Sequence, residues 1–166
     1  MAGIMALKHR HLMISAEVKS PPSDAQELDA WLILLVKRIG MQIAQSPDIA
    51  KNPQSYYCDK NGNRGMTGLV ILETSNCAVH TWSEDSPAKF EFDLYSCADF
   101  NTTEVLDLID IFGIIRYNSI LINREHGLEI LETYQPSFKN VKEQPYDTTP
   151  SPTEEARSAS IIKAVA

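Results

Sequence analysis

A chain of 166 residues, 43% apolar and 22% charged, is long enough for one real core and has the make-up of an ordinary soluble globular domain. Its net charge of −7 argues against nucleic acid and anionic membrane as partners, since both reward clustered Lys and Arg. Three cysteines, at positions 58, 77 and 97, form no CxxC pair, which argues against a zinc ribbon or a disulfide scaffold and suits a reducing cytoplasm.

The segment Met1 to His11 lacks the apolar stretch of a signal peptide. No apolar run approaches the ~20 residues of a membrane span. His11 to Val18 reads as a strand ended by Pro21-Pro22. A helix follows, with Ser23 as cap, Gln26 completing a capping box, and Leu28, Trp31, Leu32, Leu35 and Ile39 at helical spacing. Gly40 stops it. Met41 to Gln45 has the character of a short strand, and residues 46–65 read as a long polar loop carrying Tyr56, Tyr57 and Cys58.

Strands are expected over about 66–74, 76–82 and 88–96, the last two joined as a hairpin through Ser83 to Pro87. A helix over 102–112 follows, capped by Asn101 or Thr102 and ended by Gly113. Tyr117 to Asn123 is a further strand, with a continuation through Leu128 to Leu131. After Tyr134 the composition turns to Pro, Ser, Thr, Glu and Lys. The expectation is one domain over 1–134 and a disordered or loosely attached tail over 135–166. The element order predicts an α+β fold, a two-layer α/β sandwich whose mainly antiparallel sheet carries two helices on one face.

Chemistry-bearing residues gather around Thr74-Ser75, His80-Thr81-Trp82 and Cys97. Side chains alternate along a strand, so Phe90, Phe92 and Leu94 share one face with Cys77, Val79 and Thr81 of the partner strand. His80 and Cys97 then fall on the opposite, polar face. If residue 82 opposes 89, Cys97 opposes Thr74 and lies beside Ser75. His80 is five residues from Ser75, roughly 16 Å of extended strand, and meets it only through a turn or bulge. On residue type alone, Ser75 is more often a turn serine, His80 more often a satisfied or surface histidine, and Cys97 most simply a small buried hydrophobe, than members of a reactive trio. His9-x-His11 has same-face spacing for two metal ligands, but no companion ligand stands beside it, so no metal is expected.

The stretch resembles the processing-site signature of the prokaryotic S-adenosylmethionine decarboxylases. In that family a Glu-Ser-His step precedes His-Thr-Trp-Pro-Glu and a strand ending in Thr-Cys-Gly. The matching text here is Thr74-Ser75-Asn76, His80-Thr81-Trp82-Ser83-Glu84 and Ser96-Cys97-Ala98, with the His-to-Cys segment two residues longer. Thr67-Gly68-Leu69-Val70 resembles the Ser-Gly-Val-Val entry to the same strand, and Arg10-His11-Leu12 the family's first strand. Thr74 stands where the family has Glu, Asn76 where it has His, and Ser83 where it has Pro.

The resemblance implies that the Ser75 hydroxyl attacks the Thr74 carbonyl, that the chain is cut there by β-elimination, and that position 75 becomes a covalent pyruvoyl group. Such a group supplies the electrophilic carbonyl that side chains lack, and a Schiff base with substrate makes an electron sink. It further implies that His80 abstracts the proton driving elimination, that Thr67 assists processing, and that Cys97 reprotonates the decarboxylated carbon. Glu84 and Trp82 become candidate substrate contacts, and Tyr56 and Tyr57 candidates to stack on adenine. The implied function is decarboxylation of S-adenosylmethionine for spermidine and polyamine synthesis, by a cytoplasmic homodimer of cleaved protomers. A pyruvoyl decarboxylase of ornithine or arginine and an unprocessed, non-catalytic homologue stay open as alternatives.

Overall fold

The computed structural model describes residues 8–136 and 154–165. Alternation in Leu12-Ile14-Ala16-Val18 and in Phe90-Phe92-Leu94 gives each strand one wholly buried face. Strands β1 (Arg10–Val18) and β5 (Ala88–Ser96) accordingly pair at the sheet's interior, from Arg10 opposite Ser96 to Val18 opposite Ala88. β2 (Gln54–Lys60), β3 (Asn63–Ile71), β4 (Asn76–Trp82), β6 (Ile114–Asn123) and β7 (Glu129–Tyr134) complete a seven-stranded sheet in the order β2-β3-β4-β5-β1-β6-β7. Every pairing is antiparallel.

Helix α1 (Ala25–Arg38) lays Leu28, Trp31, Leu32 and Leu35 on the sheet, all fully buried. Trp31 organises the layer. Its ring stands edge-on to Phe90 and Phe92, at 5.8 and 6.2 Å, and its indole N–H donates to the Leu108 carbonyl at 2.9 Å. Leu108 belongs to α2 (Thr102–Ile109), which continues into a single 3-10 turn, Asp110–Phe112. That one hydrogen bond ties both helices to the same face, as the expected sandwich requires. Among the described residues the opposite face of the sheet carries no helix, and Thr67, Leu69, His80, Glu91 and Asp93 stand on it.

Several local expectations are corrected. The expected loop over 46–65 contains β2, hairpinned to β3 through Asn61-Gly62, where Gly62 takes φ +76°. Asn-Gly marks a two-residue turn, here with positive φ at the glycine alone. The strand stayed hidden because β2 is exposed on both faces and shows no apolar alternation. β3 consequently begins at Asn63, not near residue 66, and ends at Ile71. Helix α1 is capped by Asp24, whose carboxylate accepts the Glu27 N–H at 2.8 Å, so Asp24 and Glu27 replace Ser23 and Gln26. Met41 to Gln45 forms only one bridge, Ile43 to Leu72. The strand expected to run on to Leu131 is two strands, β6 and β7, paired with each other.

Of the tail expected to be loose, residues 137–153 lie outside the described residues. Glu154–Val165 is a helix, α3, docked on α1. Arg157 reaches Glu27 at 2.8 Å and also donates to the carbonyls of Ser20 and Pro21, while Ile161 joins the core. Glu27 at the same time accepts the Ser23 N–H and hydroxyl at 2.8 and 2.9 Å. A buried carboxylate with a cation and several donors around it is satisfied, which is what lets both charges lie inside.

Candidate functional site

The β4–β5 register is Trp82 opposite Lys89 through Asn76 opposite Tyr95, the register that side-chain parity and the length of the turn predict together. Extending it by two residues sets Cys97 opposite Thr74. β3 and β4 are joined by a tight hairpin in which the Leu72 N–H donates to the Ser75 carbonyl at 3.0 Å, leaving Glu73 and Thr74 at the tip. The Thr74-Ser75 bond therefore sits at the end of the sheet, with Cys97 beside it.

Contacts there are direct. Thr74 Oγ1 lies 2.5 Å from Cys97 Sγ, the Cys97 N–H donates to Ser75 Oγ at 3.0 Å, and the Ser75 hydroxyl donates to Cys97 Sγ at 3.5 Å. The Thr74 hydroxyl first, and the Ser75 hydroxyl second, hold the Cys97 thiol below the ordinary cysteine range. Cys77 is the contrast: burial, aided by the charge of Asp93, pushes its thiol well up and leaves it a core residue.

A clasp behind the hairpin went unread in the sequence. Asn52 accepts the Ile71 N–H at 2.9 Å and donates its amide to the carbonyls of Ile71 at 2.7 Å and Ala44 at 3.0 Å. The Ala44 N–H donates to the Ile71 carbonyl at 3.0 Å, and the Glu73 N–H to the Gln42 carbonyl at 3.2 Å. These bonds fix the last residues of β3 just before the tip. An Asn ahead of Pro53 is the only local hint, and it reads equally as an ordinary turn.

His80 forms a second group. Its Nδ1 lies 3.1 Å from Thr67 Oγ1, its backbone partner across β3 and β4, and its ring is 6.4 Å from that of Trp82. Trp82 donates its indole N–H to Asn63 at 3.0 Å. Just past His80 the strands approach so closely that a Cβ on Gly65 would fall 1.7 Å from the Thr81 carbonyl, so only glycine fits there. β4 runs extended from Asn76 through Trp82, so nothing folds His80 back onto Ser75. The structure brings together Thr74, Ser75 and Cys97, and separately Thr67, His80 and Trp82.

The remaining candidates fall further out. Glu84 accepts the Gly62 N–H at 3.1 Å and sits 3.6 Å from Arg64, engaged at the β2–β3 turn. Tyr56 pairs with Thr67 and shares its open face, whereas Tyr57 pairs with the buried Met66 and points to the helix side. The two tyrosines thus cannot form one stacking wall. His9 and His11 engage Tyr95 at 2.6 Å and Asp93 at 2.9 Å. Between β1, β5 and β6 the open face has a hollow of about 330 Å³ that Glu91 and Asp93 line together with Ser15 and Asn118.

A family model described as S-adenosylmethionine decarboxylase matches residues 10–125. Among solved structures, the crystal structure of the adenosylmethionine decarboxylase from Aquifex aeolicus VF5 matches with a TM-score of 0.53 at 18% identity, covering 78% of this chain and 98% of that one. At that identity the likeness is one of fold. No curated protein matches the chain.

Proposed function

Because the chain belongs to the S-adenosylmethionine decarboxylase family, we propose that it is a self-cutting, pyruvoyl-dependent decarboxylase of S-adenosylmethionine that supplies aminopropyl groups for spermidine and other polyamines. The observation that carries this reading is the Thr74-Ser75 step at a hairpin tip, its serine hydroxyl held by the Cys97 N–H and thiol. The residues present suit a pyruvoyl group: a serine outside any ladder, a carbonyl next to it at residue 74, and a thiol in contact with the side-chain hydroxyls of both residues. Such a group supplies a carbonyl that condenses with the substrate amine and draws off electrons as carbon dioxide leaves.

The chain's own residues then divide the work. Ser75 Oγ attacks the Thr74 carbonyl carbon, and the peptide C–N bond breaks in favour of an ester. Removal of the Ser75 Cα proton expels the Thr74 carboxylate, leaving dehydroalanine that water converts to pyruvoyl and ammonia. The resulting chains are 1–74 and 75–166. His80, oriented by Thr67, is the base for elimination; in the uncut chain it stands a strand's run away, so this step requires the hairpin tip to swing toward it. In turnover, Cys97 is the acid that protonates the substrate carbon after decarboxylation.

Trp82 and Tyr56 share the open face with His80 and offer flat surfaces for adenine; Tyr57 does not. Glu84 reaches the ribose hydroxyls only by leaving Gly62. What supports a homodimer is the open face itself, where Leu69 and Ile71 stand exposed. A cytoplasmic setting fits the three free thiols.

A second reading rests on Glu91 and Asp93 in the open-face hollow. Two carboxylates there suit the terminal cation of ornithine or arginine. Release of labelled carbon dioxide from S-adenosylmethionine, ornithine and arginine decides between them: the first reading expects release from S-adenosylmethionine alone. Release from none of the three by the cut protein would overturn both.

A further inference from the structure

Three groups meet at the hairpin tip, and the reading above uses Cys97 only after the chain has been cut. In the uncut chain Cys97 already touches the attacking oxygen, Ser75 Oγ. Its thiol is the acceptor of the Ser75 hydroxyl, and its own N–H points at the same oxygen. His80, the other titratable candidate, is bonded to Thr67 instead. We propose that Cys97 acts twice: as the base that takes the Ser75 hydroxyl proton in the first step of self-cutting, and afterwards as the acid of turnover, with the cut itself reversing its role. The proposal rests on the pyruvoyl reading.

The proton balance closes without any further reagent. The Ser75 O–H proton moves to the Cys97 thiolate as Oγ bonds to the Thr74 carbonyl carbon. The C–N bond then breaks, and the same proton passes from the Cys97 thiol to the departing Ser75 nitrogen, giving an ester and a free amine. The Cys97 N–H, 3.0 Å from Ser75 Oγ, stabilises negative charge on that oxygen as it forms. The Thr74 hydroxyl, beside Sγ, favours the thiolate this step needs.

Cutting changes every one of these terms in the same direction. Ser75 loses its hydroxyl, because that oxygen departs within the new carboxylate of Thr74. One donor to the sulfur disappears, and a negative charge is created on the residue that touches it. A like charge and a lost donor both disfavour a thiolate. The cysteine that was poised to accept a proton becomes one that holds it, which is what protonating a substrate carbon demands.

The test follows freshly translated full-length chain in the presence of hydroxylamine, which captures any ester at residue 74. Cys97→Ala should lose intact chain about a hundredfold more slowly than wild type, the usual scale for removing a general base. Thermal unfolding of Cys97→Ala against Ser75→Ala shows whether the variant folds. A second readout compares iodoacetamide labelling of Cys97 against pH in freshly translated, uncut wild type, which keeps the Ser75 hydroxyl, and in cut wild type, expecting the higher midpoint in the cut protein. Loss of folded Cys97→Ala chain at the wild-type rate overturns the base role, and equal midpoints overturn the switch. If wild type itself is never cut, the pyruvoyl reading fails first, a distinct result.

Discussion

Asn52→Ala removes the side-chain bonds of the clasp behind the hairpin tip without touching Thr74, Ser75 or Cys97. The substitution deletes one acceptor, to the Ile71 N–H, and two donations, to the carbonyls of Ile71 and Ala44. Each such bond contributes about 1 kcal/mol net, and water replaces part of it because the site is half open. The expected loss is therefore about 1–2 kcal/mol, well short of the sum of three full bonds. Stability should be measured by urea unfolding in a Ser75→Ala background, so that both proteins remain one uncut chain. In the Ser75 background the same change should slow cutting severalfold, since β3 no longer holds the tip at Cys97. Asn52→Ala with unaltered stability and an unaltered rate of cutting would refute the clasp.

Three further outcomes are expected. Trp31→Ala empties the centre of the helix–sheet layer and frees the Leu108 carbonyl, so it should cost about 3–5 kcal/mol in chemical denaturation. Arg157→Ala leaves Glu27 buried without its cation and should cost about 3–5 kcal/mol, whereas replacing the pair together, Arg157→Met with Glu27→Leu, should cost clearly less; equal stability of wild type and the single variant in calorimetry would contradict the docking of α3. Thr67→Val removes the hydroxyl partner of His80 and should slow cutting by about tenfold while leaving the melting temperature within a degree or two; a cutting rate equal to wild type would remove Thr67 from processing.

What could be read in the sequence was what repeats with a fixed period or sits in a local pattern. The alternation of Phe90, Phe92 and Leu94 against Cys77, Val79 and Thr81 decides which faces of β4 and β5 meet, the short turn between them sets the register, and from it the neighbourhood of Cys97 and Thr74 follows by counting. The residues that were missed act over long sequence separations. Asn52 matters through bonds to residue 71, and its amide says nothing by itself about which backbone it will reach. β2 escaped because an edge strand exposed on both faces has no apolar rhythm, although Asn61-Gly62 announced its turn. Arg157 lies in a polar stretch, and only the fold brings it 130 residues back to Glu27.

The separation of His80 from Ser75 is the other lesson. Matching spacing in a motif placed both residues in one functional unit, while strand geometry kept them apart; in the uncut chain the neighbour of Ser75 is Cys97. A motif records which residues take part, and the hairpin decides which of them touch first.

The central claim is that this chain cuts itself between Thr74 and Ser75. Intact mass of the purified wild-type protein tests it most directly. The account predicts two fragments, one ending at Thr74 and one beginning with a pyruvoyl group at position 75, and a single uncut chain for Ser75→Ala. A wild-type protein that stays at the full-length mass after prolonged incubation would contradict it.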